Sequence, residues 1–356
     1  MNTRTSATSQ HSSKRPRTDS PADAPNQATR STPWFEDGNI ILEAEGQQFK
    51  VFRGILAAKS VVFADMFTVG QPGIDGLVEG CPVVHLSDKA EDLKVVLEFL
   101  FNSQHRKDSH IPGQYQALQF SIVAAFLALG RKYQISHLRE IAVSRITYAF
   151  PSDLKEYEIY RPNGVFENFK TWELLHLANL LREQELLVCL PATLFFCVYL
   201  HDIRHLSIVD SAPSASQPVL SMQNLRVCID GHRDLCELTS CHTLAWLTPG
   251  QKGADDCQFR LNGVLSLMSS TPCDKARITL YNETVNPLVP CSPFALWDAE
   301  GAKGLCSPCK VAAQTTHNAG RQAVWDQLPG VFGLPDWDEL KAKWSTVSSL
   351  YDGLTL

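Results

Sequence analysis

The fold of this chain is decided by residues 49–67, which read FKVFRGILAAKSVVFADMF. In the first part, Phe49 and Val51 alternate with Lys50, a period of two that is typical of a strand. In the second part the apolar residues recur at helical spacing, which predicts two short helices (Ile55, Leu56, Val62, Phe63, Met66 and Phe67). We therefore predict a strand that passes directly into a helical pair.

The residues that flank this segment add two strands. The β-rich run Asn39-Ile40-Ile41-Leu42 precedes a turn at Glu45-Gly46, so residues 39–52 are predicted to form a hairpin. Residues 83–86, which read VVHL, predict a third strand.

The helix after the third strand has the clearest pattern in the chain. Asp88 is predicted to cap its N-terminus, with Glu91 closing a capping box. Apolar residues at i, i+3, i+4 and i+7 give this helix one buried face (Leu93, Val96, Leu97 and Leu100).

Two further helices, separated at Gly130, are predicted after a polar loop at residues 102–116. Strands that come first and helices that gather afterwards predict an α+β fold, with the helices packed on one side of a small sheet. We place this domain at residues 34–150 and a mainly α-helical, Cys-rich region at residues 151–356.

The first 33 residues are rich in Ser, Thr, Pro, Ala, Asn and Gln and have almost nothing to bury. Because such a segment does not offset its ordering entropy, we predict that residues 1–33 form a disordered polar tail. Its basic run, Lys14-Arg15-Pro16-Arg17, fits a nuclear import signal and fits a solvated basic tail equally well.

Composition limits the class of protein. The net charge of −6 and the 44% hydrophobic content are typical of a globular protein with no general attraction for nucleic acid or anionic lipid. The N-terminus lacks the apolar segment of a secretory signal. The longest apolar stretch, residues 186–200, is shorter than the about 20 residues that a membrane helix needs, and it contains Pro191. We expect an intracellular protein, cytoplasmic or nuclear, with no membrane or nucleic-acid partner.

Residues 37–67 resemble the BTB/POZ domain. Members of that family show an aspartate before the first strand, here Asp37, and then a segment that here reads FRGILAAKS at residues 52–60. An aromatic residue, here Phe63, then precedes a Met-Phe pair, here Met66-Phe67. Residues 81–101 continue the resemblance.

A wider resemblance extends over most of residues 34–340. It is to the BTB proteins of mushroom-forming fungi, which pair the domain with a helical C-terminal half. The part that carries this likeness reads GRQAVWDQLP at residues 320–329 and is followed by Gly333-Leu334-Pro335 and Trp337.

The resemblance implies a protein-interaction adaptor rather than an enzyme. BTB domains self-associate through the segment before the first strand and through the first helix, so the chain would form a homodimer. The residues implied are Trp34, Phe35, Gly54, Leu56 and Ala57, with Arg53 in a neighbouring pocket. Adaptors of this kind recruit a cullin-type ubiquitin ligase or act in nuclear regulation, and the sequence leaves both open.

Two positions depart from the family pattern. Phe52 stands where the family usually has histidine, and Asn39 stands where many relatives carry an acidic residue that faces the retained Arg53. Both departures argue against a charged pocket that binds acidic co-repressor peptides.

Eleven cysteines in a chain without an export signal indicate reduced thiols or metal ligands rather than disulfides. Cys306 and Cys309 form a C-x-x-C pair, but a tetrahedral zinc ion needs two more ligands. Cys273 stands before an Ala-Arg segment similar to one that recurs in the fungal group, and we select Cys257 as the fourth ligand. One hypothesis is zinc at these four residues; the other is that they are ordinary small buried residues.

Catalytic signatures are missing from the sequence. It contains no phosphate-binding glycine loop, no dinucleotide fingerprint, no zincin or zinc-deaminase motif and no nucleophile elbow. We assign no catalytic residue. The alternatives that remain are a metal-containing enzyme and a zinc-bearing transcriptional regulator, each built on the Cys-rich half. A catalytic zinc keeps an open position, whereas a structural zinc is closed by four protein ligands.

Overall fold

The computed structural model describes residues 28–69, 77–102, 116–159, 165–201, 219–248, 253–259, 270–285 and 290–352. Predictions for residues 1–27, including the basic run, and for most of the loop at 102–116 lie outside these residues.

The strands are β1 (Thr29–Trp34), β2 (Ile40–Ala44), β3 (Gln47–Val51), β4 (Leu77–Val78), β5 (Cys81–Leu86), β6 (Leu118–Gln119) and β7 (Phe166–Glu167). The first five form one sheet with the strand order β1-β3-β2-β5-β4. Strand β2 pairs antiparallel with β3, where Ile41 lies opposite Lys50, and pairs parallel with β5. The predicted hairpin and the third strand are therefore confirmed. A second, short sheet joins β6 and β7.

Helices make up most of the remaining described residues, so the α+β class and the helical C-terminal region are confirmed. A π-helical turn, Thr239–Thr243, and two 3₁₀ turns, Leu187–Cys189 and Ala245–Leu247, supplement them. The α-helices are α1 (Arg53–Lys59), α2 (Val61–Val69), α3 (Ala90–Phe101), α4 (Phe120–Lys132), α5 (Ser136–Ala149), α6 (Leu154–Tyr157), α7 (Glu173–Glu183), α8 (Leu190–Leu200), α9 (Met222–Leu238), α10 (Pro272–Thr284), α11 (Ser307–Val331) and α12 (Trp337–Asp352).

Strand β1 begins five residues before the predicted start of order, so the disordered tail predicted for residues 1–33 is wrong at its C-terminal end. The strand runs parallel to β3, and the N–H of Thr29 donates to the carbonyl of Gly46 at 2.8 Å. Arg30 forms an ion pair with Glu79 across the sheet. The side chains of this strand are mostly polar, so its sequence shows no apolar alternation. The strand is held at the sheet edge by its backbone pairing with β3.

Deleting residues 1–33 is therefore expected to destabilise the protein by about 2 kcal/mol more than deleting residues 1–27, since each backbone hydrogen bond contributes about 0.5–1.5 kcal/mol. The two truncated proteins should be compared by urea denaturation. Equal midpoints would contradict a stabilising β1.

The capping box predicted for α3 is wrong, although the apolar stripe of this helix is buried as predicted. The N-cap is Lys89, which makes no side-chain cap. The N–H of Ala90 instead donates to Glu45 Oε2 at 2.9 Å, from the turn between β2 and β3. Asp88 accepts hydrogen bonds from Lys132 Nζ, at 2.6 Å, and from the Tyr133 hydroxyl. Burial and this carboxylate raise the pKa of Tyr133, so its phenol stays protonated.

The hydrophobic core is continuous across the domain boundary predicted at residue 150. Phe120, at the start of α4, makes edge-to-face contacts with Phe166, Phe169 and His176, with ring centroids 5.4–5.8 Å apart. Phe150, at the end of α5, contacts the ring of Phe196 in α8 at 6.0 Å. The first helices of the C-terminal region therefore cover one face of α4 and α5.

The apolar stretch at residues 186–200 belongs to this core. Helix α8 starts at Leu190 with Pro191 in its first turn, and its residues as far as Val198 are buried. Across the ranges that the structure describes, no helix combines the length and apolar character needed to cross a bilayer.

The segment at residues 320–329 packs α11 against the residues that follow α5. Gly320 faces the backbone of the π-helical turn, where a Cβ would overlap the carbonyl group of His242. Arg321 is buried and forms an ion pair with Glu158 at 2.7 Å. Trp325 donates from its indole to the carbonyl of Ser152 at 3.3 Å. This segment therefore joins the long C-terminal helix to the remainder of the core.

Candidate interaction surface and cysteine cluster

Three aromatic rings connect the segment after β1 with the start of α1. Phe35 follows β1, Phe52 precedes α1, and Phe101 ends α3. The ring centroid of Phe35 lies 5.0 Å from that of Phe52 and 5.4 Å from that of Phe101. The segment before the first helical pair, residues 34–35, and the start of α1, both predicted to mediate self-association, are thus adjacent in the fold.

Helices α1 and α2 present apolar side chains to solvent. Ile55 is 39% exposed and Val61 is 57% exposed. Gly54 and Ala58 are also exposed, and Ala57 is half-buried. These five residues form a candidate contact surface, which we call the α1–α2 surface.

Leu56 does not belong to this surface, because its side chain is fully buried in the core. Its predicted part in direct self-association is therefore wrong; helical geometry turns it inward while Ile55 points outward. Trp34 is half-buried, and the guanidinium of Arg30 lies 4.7 Å from its ring centroid.

Arg53 is engaged within the domain. Its backbone N–H donates to Asn39 Oδ1 at 2.7 Å, which caps α1. Its guanidinium donates to the carbonyl of Phe67 at 2.6 Å, near the C-terminus of α2, where a cation is favourable. In this chain Asn39 and Arg53 thus hold the helical pair on the sheet.

The part of the chain that forms this sheet and helical pair also matches a known protein family in sequence. Residues 34–148 match the family model described as BTB/POZ domain. This part of the chain is a BTB/POZ domain. Such domains are in general protein-interaction modules, so protein binding is the activity expected of it. The comparison with curated proteins finds no match to this chain.

Outside the BTB/POZ domain, the structure brings together the four cysteines selected from the sequence. Cys257, Cys273, Cys306 and Cys309 are all buried, and their Sγ atoms lie within 4.8 Å of one another. They come from three segments: the turn at residues 253–259, the first turn of α10, and the first turn of α11. Chain segments far apart in sequence thus converge on one small volume.

Backbone N–H groups point at these sulfur atoms. The N–H of Cys306 donates to Cys273 Sγ at 3.3 Å. Burial opposes ionisation of Cys306, but N–H groups of Cys309 and Gln258 and the neighbouring thiols outweigh it and lower its pKa to about 7. Burial raises the pKa of Cys309 to about 12 and also raises that of Cys273. Of these three thiols, Cys306 ionises first.

A second group joins His232, Cys236 and Cys291, whose ligand atoms also lie within 4.8 Å of one another. His232 and Cys236 are one helical turn apart on α9, and all three residues are only half-buried. Burial and the Cys236 thiol raise the pKa of Cys291 to about 12. With three ligands, this group leaves a tetrahedral ion one ligand short.

Two residues beside the four thiols were missed in the sequence. A Cβ at Gly253 would lie 3.1 Å from Cys309 Sγ and 3.4 Å from the guanidinium of Arg277. Arg277 lies four residues after Cys273 on α10, which is the spacing of neighbours on one helix face. That spacing could have predicted that Arg277 lies near the cysteine cluster. No local sequence pattern predicts the same for Gly253.

Proposed function

We propose that this protein is an interaction adaptor that acts as a homodimer through its BTB/POZ domain. The observation that supports this is the α1–α2 surface, where Ile55 on α1 and Val61 at the start of α2 are exposed. Removing apolar surface from water contributes about 25 cal/mol per Å². A two-fold contact brings the same patch of each copy together.

The C-terminal region would have one of two roles in such an adaptor: to present a client protein or to stabilise the BTB/POZ domain. Because its helices share the core of the BTB/POZ domain, this region stabilises the domain, and it can present a client as well. A cullin-type scaffold is the partner for an adaptor of ubiquitin ligases, and a regulatory complex is the partner for a nuclear adaptor. Affinity purification with identification of bound proteins separates these two forms.

The alternative of a metal-containing enzyme receives little support from the four-thiol cluster. All four of its sulfur atoms come from buried residues of the protein. A tetrahedral ion bound there would keep no open position for water or substrate.

Replacing Ile55 with aspartate is expected to weaken self-association of the full chain at least about 10-fold, which corresponds to about 1.4 kcal/mol. Each copy carries the substitution once, so a two-fold contact is affected twice. Sedimentation equilibrium at micromolar concentrations measures the change directly.

Ile229→Asp is the matched control, since Ile229 is 44% exposed on α9 and lies outside the domain. Circular dichroism should show that both variants fold. A parent protein that stays monomeric, or a control variant that dissociates as readily as Ile55→Asp, would overturn the proposed homodimer.

A further inference from the structure

The four thiols lie in a small buried cluster, against which the half-buried side chains of Trp246 and Trp297 pack. Its buried residues form a cluster separate from the main core, and four of its seven members are cysteines. The others are Ala302, Leu305 and Ala313. Apolar burial of this size supplies little stability, and small cores of this kind in proteins are commonly supplemented by a metal or by disulfides.

The distances between the sulfur atoms argue against disulfides. Cys306 Sγ lies 3.9 Å from Cys257 Sγ, whereas a disulfide has an S–S length of about 2.05 Å. All of these cysteines are free thiols. A tetrahedral ion with metal–sulfur distances of about 2.3 Å separates its ligands by about 3.8 Å. The observed separation therefore fits a tetrathiolate centre.

The surroundings fit a negatively charged centre. Four thiolates around a divalent cation carry a net charge of −2, which needs compensation in a buried site. The buried guanidinium of Arg277, which is ion-paired with Asp274, lines the same small pocket as Gly253 and Cys309 and places a cation near the thiols. N–H donors at the sulfur atoms, such as that of Cys306 to Cys273, supply the outer hydrogen bonds typical of metal-bound ligands.

We propose that Cys257, Cys273, Cys306 and Cys309 bind one Zn²⁺ per chain in a closed, structural centre. The ion ties the turn at residues 253–259 to the N-termini of α10 and α11. Because the folded chain binds the ion and the unfolded chain lacks the preformed site, binding adds to the free energy of unfolding. This proposal is independent of dimer formation by the BTB/POZ domain.

The first test is elemental analysis of the full chain, purified under reducing conditions without chelator. We expect about one equivalent of zinc, held at all four ligands. Exchange of the metal for Co²⁺ should produce the intense visible absorption of a tetrahedral tetrathiolate. Less than about half an equivalent in the parent protein, together with no cobalt spectrum, overturns the proposal.

The second test compares variants. Cys306→Ser with Cys309→Ser should lose the metal and lower the melting temperature, whereas Cys241→Ser, at an exposed thiol, should change neither. Cys236→Ser tests the three-ligand group on α9. If the double variant fails to fold, the parent protein is titrated with a mercurial reagent instead. The zinc released is then measured as a function of the number of thiols modified. Metal that is lost from Cys236→Ser but kept by the double variant would overturn the assignment.

Discussion

Replacing Trp325 with alanine is expected to lower the free energy of unfolding of the full chain by about 3–5 kcal/mol, the usual cost of removing a large buried aromatic side chain. Trp325 is only 2% exposed. Its ring stacks on Trp337 with centroids 5.5 Å apart and contacts the rings of Tyr157 and Phe294. Rings from α6, from the segment before α11 and from α12 thus surround Trp325, and its removal would leave all three without this contact.

Urea denaturation followed by circular dichroism measures this loss. Trp172→Ala is the control, since Trp172 is 40% exposed and its removal is expected to cost under about 1 kcal/mol. Because the core is continuous, we expect one transition in which the BTB/POZ domain and the C-terminal helices unfold together. Equal midpoints for the two variants would refute the central position given to Trp325.

Replacing Gly320 with alanine is expected to cost about 1–3 kcal/mol, as for other substitutions that overpack a core. A Cβ at this position would overlap the carbonyl of His242 and lie 2.8 Å from the backbone nitrogen of Thr243. Backbone atoms cannot rotate away as a flexible side chain can, so α11 must shift relative to the π-helical turn.

Gly330→Ala on the same helix is the control, because a Cβ there meets nothing within 4 Å. Alanine favours a helix over glycine by about 0.5–1 kcal/mol, so the control should be neutral or slightly stabilised. Thermal denaturation is therefore expected to show a lower melting temperature for Gly320→Ala and an unchanged or slightly higher one for Gly330→Ala. A stabilised Gly320→Ala protein would show that α11 does not approach the turn this closely.

The parts of the fold that sequence predicts are those specified by local periodicity. The hairpin at residues 39–52 and the stripe of α3 follow from alternation and helical spacing within a few residues. Strand β1 was missed because Thr29–Trp34 carries no apolar alternation and is held by the backbone of β3. The cap of α3 was assigned to Asp88, since the carboxylate of Glu45 approaches only through the tertiary fold.

The candidate sites divide in the same way. The C-x-x-C spacing makes Cys306 and Cys309 neighbours in any helical turn, so their pairing is a local property. The approach of Cys257 and Cys273 depends on how α10 and the turn at residues 253–259 pack, which spacing does not specify. On the BTB/POZ domain, the segment of α1 was predictable, but which of Ile55 and Leu56 points outward was settled by burial.

The aromatic contacts of Phe120 and Phe150 limit how this domain can be separated from the rest of the chain and fused to another protein. The family match ends at residue 148, yet the rings of Phe166, Phe169 and Phe196 cover the far side of α4 and α5. A fusion protein joined at residue 150 would expose these faces of α4 and α5 to water as an apolar patch that is prone to aggregation. Because the core continues into the C-terminal helices, the BTB/POZ domain and the helices that cover it would have to be moved together.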